Sequence, residues 1–330
     1  MINVTVDHAL ILTAGIGTRL RPLTYVRAKP AVPVAGTPFI RHVLAWLAHQ
    51  GIQHVCLNLH YLPETITAIV GDGRDLGMHV RYLWEPKILG SAGGPRAALP
   101  LLGSGSFLIV NGDTLTNVNV HDLMTTHRQR QASVTLAVMP NPNPQRYGGV
   151  VTDHDGWVQR FVPAGDPTPS YHFVGVQMVE PAVFETLPIG EPASTIGGIY
   201  STLASKHTRA IQVHMITEQF LDIGTPKDYL EVSLALAEDK ESLLHGVGTK
   251  IGQDTQVIRT VLWDNVHVGA RCSLDHCVVT DGVRVPDGSN FRNVIITGKT
   301  ERRQEPFEQK IGNLLVTPLS HNDAEDSTKS

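Results

Sequence analysis

Cysteine is scarce in this chain, with three residues in 330, and so sparse and odd a set excludes a disulfide-stapled scaffold. Cys272 and Cys277 lie close together with His276 between them, but no second ligand pair follows, so a zinc site lacks donors. The sixteen histidines are scattered, without a His-x-His or helical His-x-x-x-His pair, and read as ordinary surface and core residues. Long apolar runs are missing too: none approaches the roughly 20 residues that a membrane-spanning helix needs. There is no basic excess. The net charge is −4, so the overall balance gives no reason to expect nucleic acid or an anionic membrane as partner. The opening MINVTVDHALIL has no basic stretch before a long apolar core and does not read as a signal peptide, so the expected location is the cytoplasm.

What is present is an ordinary globular composition, 42% hydrophobic and 18% charged, with enough apolar residues for a sizeable core. Apolar runs alternate with amphipathic stretches. Strands are expected at His8–Thr13, Val55–Leu59, Val80–Leu83, Phe107–Val110 and Ser133–Val138, and helices at Pro38–Gln50, Pro63–Val70, Gly94–Leu102 and Val120–Gln131. A hairpin follows over Gly148–Asp153 and Trp157–Val162, turning at Asp155-Gly156, then strands at His172–Val179 and Thr208–Met215 and a helix at Pro226–Ala237. This pattern predicts an α/β fold, a Rossmann-like, mainly parallel mixed sheet with helices on both faces. Ligands of such sheets sit at the carboxyl ends of strands, which puts Ala14–Thr18 and Asn111–Thr114 on one rim. After Glu238 small and aliphatic residues recur about every six positions, as in Ile251, Val257 and Trp263, then Val266, Cys272 and Val278, with slips of register between sets. Such hexads predict a short left-handed parallel β-helix of two to three coils; an irregular β-rich appendage is the alternative. The expected domains are 1–240, 245–300 and a C-terminal tail over 301–330 whose polar end, Asn322–Ser330, reads as disordered.

The chemistry concentrates in Leu12–Pro30, LTAGIGTRLRPLTYVRAKP. Gly15 and Gly17 leave room for backbone N–H groups to close around an anion, beside Thr18. Arg19 presents a fork to phosphate oxygens and Lys29 a compact charge. The string is neither a P-loop, since Gly-Lys-Ser/Thr is absent, nor a dinucleotide fingerprint, since Leu20 stands where a third glycine belongs. Asp113 follows a buried strand directly, and Asp222 precedes a tight Gly turn and a helix begun by Pro226. Two carboxylates of this kind can bridge one Mg2+ to a triphosphate.

The string G-I-G-T-R-L-R-P-L-T with the later Lys29-Pro30 resembles the signature of the sugar-1-phosphate nucleotidyltransferase family, and the likeness extends over about Asp7–Ala237. Hexapeptide-containing members of the family also match the C-terminal pattern. The resemblance implies a nucleotide site at Leu12, Ala14, Gly15, Gly17, Thr18, Glu85, Gly90 and Ser91, catalytic roles for Arg19 and Lys29, Mg2+ at Asp113 and Asp222, and sugar contacts at Asn111, Gly148 and Gly175. Glu85 is expected to accept the N1 and N2 protons of guanine, and Leu89–Gly94 (LGSAGG) is close to the LGTAG string of guanylyltransferases. GTP with mannose 1-phosphate is the expected pair. Uridylyl or thymidylyl transfer to glucose-type 1-phosphates is the alternative. So is a silent regulatory homologue that binds nucleotide-sugar. One departure stands out. Many members carry Glu-Lys-Pro after the hairpin, whereas Phe161 is followed here by Val162-Pro163-Ala164-Gly165; Arg146 and Arg160 are the basic residues available nearby. An acyltransferase role for the hexads is disfavoured by the few coils and the absence of an evident catalytic His. Subunit contact in a homo-oligomer is the expected role instead.

Overall fold

The computed structural model describes residues 7–217, 220–237, 244–298 and 305–320. In chain order it opens with β1 (His8–Leu12), the short β2 (Pro33–Val34) and β3 (Thr37–Pro38), α1 (Phe39–His49), β4 (His54–Leu59), α2 (Pro63–Val70) and β5 (His79–Trp84). Then come α3 (Gly90–Ala98), β6 (Phe107–Asn111), β7 (Thr114–Thr116), α4 (Val120–Arg130) and β8 (Val134–Pro140). The hairpin β9 (Gly149–Thr152) and β10 (Val158–Val162) leads to β11 (Tyr171–Val179), α5 (Ala182–Glu185), α6 (Tyr200–Lys206), β12 (Ile211–Met215), β13 (Phe220–Asp222) and α7 (Pro226–Ala237). The chain divides into two compact units, Met1–Gly15 with Ile40–Leu221, and Ile16–Phe39 with Asp222–Ser330.

The first unit is built on a nine-stranded sheet ordered β10-β9-β11-β6-β1-β4-β5, with β8 beside β11 and β12 beside β8. β1 is paired in parallel on both edges, with β4 and with β6. A strand so placed has no solvent side, which is why HALIL and FLIVN read as apolar runs rather than alternations. α1 buries Phe39, Ile40, Val43, Leu44 and Leu47 on one face, and Gly51 at φ 82 ends it. α4 starts where Asn119 Oδ1 accepts the backbone N–H groups of His121 (3.0 Å) and Asp122 (3.2 Å). The sheet is less parallel than the sequence suggests. β11 runs antiparallel to both β6 and β8, because it returns from the β9–β10 hairpin without a crossover helix. Residues 182–206, which show no clear period, form α5, a kinked turn at Thr195–Ile199 and α6. Non-helical backbone at Ile196, Gly197 and Gly198 breaks the helical spacing there.

In the second unit, α7 is capped reciprocally: Thr225 Oγ1 accepts the Asp228 N–H (3.2 Å) while Asp228 Oδ2 accepts the Thr225 N–H (2.9 Å). Beyond it the chain winds a parallel β-helix with three sheets. The first stacks β14 (Lys250–Ile251), β17 (His267–Val268) and β20 (Arg284–Val285); the second β15 (Gln256–Ile258), β18 (Ser273–Asp275) and β21 (Asn290–Arg292); the third β16 (Val261–Leu262), β19 (Val278–Val279) and β22 (Val294–Gly298). Each register step, such as Thr260 to Cys277, is 17 residues rather than three full hexads. The shortfall explains the slips in the hexad pattern. Every coil turns its corners through residues of positive φ: Gly248, Asn265 and Gly282; Asp254, Arg271 and Gly288; Arg259, His276 and Asn293. Asn, Asp and Gly recur there because they tolerate that conformation best. Cys272 and Cys277 are buried inside the coils, their Sγ atoms directed at the carbonyls of Pro286 (3.1 Å) and Phe291 (3.4 Å). The expected tail contains structure as well. β23 (Gln309–Ile311) and β24 (Leu314–Pro318) form a hairpin, and β24 pairs antiparallel with β22, covering its open edge. The polar segment Asn322–Ser330 lies outside the described residues. Among the described residues no helix is long and apolar enough to cross a membrane.

Candidate active site

Within the first unit, the carboxyl ends of β1, β4 and β5 carry a buried polar network. Asn58 Oδ1, near the end of β4, accepts the Thr13 N–H (2.7 Å), and Thr13 Oγ1 donates back to the Asn58 carbonyl. Asn58 Nδ2 donates to Glu85 Oε1 (2.7 Å), and Glu85 Oε2 accepts the Leu89 N–H (2.9 Å). Glu85 is 0% exposed. Both of its oxygens are engaged from inside, so the structure sets it behind the first turn of α3, not on its surface. In this arrangement the carboxylate holds the entry to α3. Asn58 is absent from the sequence-predicted set, although an Asn within the buried run VCLNL is the signal that could have found it.

The glycines at the start of α3 have a packing reason. A Cβ on Gly90, at φ 75, would meet the Ala193 carbonyl at 2.7 Å; on Gly93 it would meet the Glu191 carbonyl at 2.5 Å, and on Gly94 Glu85 Oε1 at 2.9 Å. Ser91 Oγ accepts the Thr195 N–H (2.9 Å), tying the start of α3 to Thr195. Leu12 accepts the Gly112 N–H at its carbonyl (2.9 Å), Ala14 is buried, and Gly15 is exposed with open space around its Cα.

The expected sugar residues fall into two groups. Gly175, in β11 at φ 81, packs against Asn111: a Cβ there would lie 2.9 Å from Asn111 Nδ2 and 2.6 Å from Thr114 Oγ1. The β11 ladder shifts register between Phe173 and Gln177, around this glycine. Asp113, half-buried, occupies the turn between β6 and β7. Gly148 lies at the mouth of the hairpin, where a Cβ would sit 3.0 Å from the Val162 carbonyl. The ring of its neighbour Tyr147 packs 4.5 Å from His172 and lies under the Arg146 guanidinium (5.3 Å). Burial pushes the His172 imidazole down to about 4, with the Gly148 backbone pulling the other way. Arg160, the other candidate for the missing lysine, is tied to Thr168 Oγ1 (3.2 Å).

In the second unit, Gly17 adopts the left-handed conformation (φ 67), and its carbonyl accepts from Leu20 N–H (3.0 Å) and Thr24 Oγ1 (2.9 Å). A Cβ at Gly17 would meet Thr24 Cγ2 at 2.9 Å and Lys29 Cβ at 3.1 Å. The fold therefore brings Gly17 and Lys29 together across eleven intervening residues of sequence. Thr18 and Arg19 are exposed on the following turn and Lys29 is half-buried. Asp222 ends β13.

The chain matches the family model described as nucleotidyl transferase over residues 8–239, and the model described as GlmU-like, C-terminal hexapeptide over residues 235–301. It is 31% identical over 293 residues to the mannose-1-phosphate guanylyltransferase of Mycobacterium tuberculosis, spanning 85% of this chain and 81% of that protein. To the UTP–glucose-1-phosphate uridylyltransferase of Synechocystis sp. it is 27% identical over 296 residues, spanning 84% and 76%. Among solved structures, HddC from Yersinia pseudotuberculosis aligns with a TM-score of 0.61 at 23% identity, over 70% of this chain and 100% of that one. At that identity the likeness speaks for the fold alone.

Proposed function

The chain belongs to the nucleotidyl transferase family, and from that premise we propose that it joins a nucleoside triphosphate to a sugar 1-phosphate, with GTP and mannose 1-phosphate as the preferred pair. The observation that carries the reaction type is the loop GIGTRLRPLT…KP, folded so that Gly17 packs on Lys29. The preferred pair is supported by the 31% identity to a mannose-1-phosphate guanylyltransferase.

In the proposed reaction an anionic oxygen of the sugar phosphate attacks the α-phosphorus in line. The bond from that phosphorus to the bridging oxygen breaks, and pyrophosphate leaves with the electron pair. The nucleophile is already charged, so no general base is needed, and catalysis is positioning with charge neutralisation. Lys29 steadies the α-phosphate and Arg19 the leaving pyrophosphate. Leu12, Ala14, Gly15, Gly17, Thr18, Gly90 and Ser91 form the nucleotide site, with Glu85 supporting it from behind. Asn111, Gly148 and Gly175 face the sugar. The chemistry of the donor set fits Mg2+: Asp113 and Asp222 offer hard oxygen ligands, and an ion that keeps several waters and takes phosphate oxygens needs few protein ligands. When bound, Mg2+ neutralises triphosphate charge and orients the α-phosphate. We take the protein to act in the cytoplasm as a homo-oligomer in contact through its β-helix.

A matrix of GTP, UTP, ATP and dTTP against mannose, glucose and related 1-phosphates, scored by pyrophosphate release, tests the reading. The expected maximum is GTP with mannose 1-phosphate. A maximum at UTP with glucose 1-phosphate would replace that pair by the one named for the Synechocystis relative. No release with any pair would overturn the reaction type.

A further inference from the structure

Arg27 lies two positions before Lys29 and is 14% exposed at its side chain. Its Nε donates to Asp281 Oδ2 and its Nη2 to Asp281 Oδ1, both at 2.6 Å, and Nη2 also donates to Asp264 Oδ2 at 2.6 Å. The guanidinium stacks 5.4 Å from the ring centre of Trp263, which is wholly buried. Asp264 and Asp281 hold the same place on consecutive coils, 17 residues apart, and the Asp264 N–H donates to Asp281 Oδ1 (3.0 Å). A second pin follows on the far side of Lys29. Tyr229 donates its hydroxyl to the Pro33 carbonyl (2.6 Å) and accepts the Trp263 Nε1–H (2.8 Å). Tyr25 donates to Glu305 ahead of both. Lys29 thus sits in a short span held at Arg27 and at Pro33, with its Cβ against Gly17.

Burying an arginine among carboxylates is a poor way to gain stability alone, because desolvation offsets much of the attraction. A forked, doubly hydrogen-bonded guanidinium stacked on an indole does fix direction. We propose that Arg27 is a positioning residue for nucleotidyl transfer: with Asp264, Asp281 and Trp263 it sets the course of the loop that carries Arg19 and Lys29, so the first coils of the β-helix serve the reaction as well as the fold. The effect on turnover rests on the function proposed above; the effect on the loop does not.

The test uses the full chain with Arg27→Ala, Arg27→Lys and Asp281→Asn. In Arg27→Ala, kcat falls about 10- to 100-fold, the range for losing an outer support of a reacting group, while KM for the triphosphate moves only a few-fold. Arg27→Lys recovers part of the loss. Amide hydrogen exchange accelerates over residues 17–31 and stays unchanged in β1 and β6. A merely structural salt bridge would lower the melting temperature and leave the kcat of the folded protein intact; that result, or unchanged exchange over 17–31, overturns the proposal. Should Arg27→Ala fail to fold, Asp281→Asn is read by the same two criteria. If the wild type releases no pyrophosphate with any substrate pair, the proposed function falls, and the exchange measurement still decides the role of Arg27.

Discussion

Replacing Glu85 separates two views of the entry to α3. Its carboxylate is fully buried and accepts from Asn58 Nδ2 (2.7 Å) and Leu89 N–H (2.9 Å). Glu85→Ala strands both donors in the interior, at about 1–3 kcal/mol each, so the expected loss is about 2–6 kcal/mol. Glu85→Gln keeps one acceptor and turns an NH2 toward the other donor, for about 1–3 kcal/mol. Against a typical total of about 5–15 kcal/mol, either loss is readily seen as a lower urea midpoint. Because Asn58 also positions Thr13, kcat/KM should drop for every triphosphate together, with their order unchanged. A base-reading carboxylate predicts the reverse: a wild-type urea midpoint in Glu85→Gln and a selective loss of GTP. That combination would refute the supporting role.

Other outcomes follow from the same geometry. Gly175→Ala places a Cβ 2.6 Å from Thr114 Oγ1 in a left-handed backbone; about 2–5 kcal/mol of stability should go, and KM for the sugar phosphate should rise more than KM for GTP. An unchanged melting temperature and sugar KM would contradict it. His172 titrates near 4 when folded, below its ordinary value of about 6.5, so between those pH values the unfolded chain binds a proton that the folded chain does not. Stability therefore falls as pH drops through that window, and from pH 7 to about pH 4.5 the wild type should lose about 2–3 kcal/mol more than His172→Phe in urea titrations; parallel pH curves would contradict the assignment. Chelation of divalent ions should abolish turnover without changing the melting temperature, and added Mg2+ should restore it. Turnover that persists in excess chelator would remove the metal from the account.

Local features were legible in the residues, and long-range ones were not. HALIL and FLIVN announce central strands because both faces and both edges are covered. The α2 span Pro63–Val70 is marked at both ends by Pro63 and Gly71. The phosphate loop is readable since its glycines, Arg19 and Lys29 lie within one short string. The direction of β11 is not, because nothing in YHFVGVQMV records which neighbour it pairs with. The Thr13–Asn58–Glu85–Leu89 network joins four separate segments, so Glu85 looks like a free acceptor until its partners are seen. Hexads were visible in the C-terminal region, yet the 17-residue coil emerges only from the spacing of its corner residues, such as Arg259, His276 and Asn293.

The most direct test is the stoichiometry of the reaction itself. With GTP, mannose 1-phosphate and Mg2+, nucleotide-sugar and pyrophosphate should accumulate one for one, and Lys29→Ala, folded by circular dichroism, should be at least about 100-fold slower. Pyrophosphate without nucleotide-sugar, or a Lys29→Ala variant as fast as the wild type, would contradict nucleotidyl transfer at this loop.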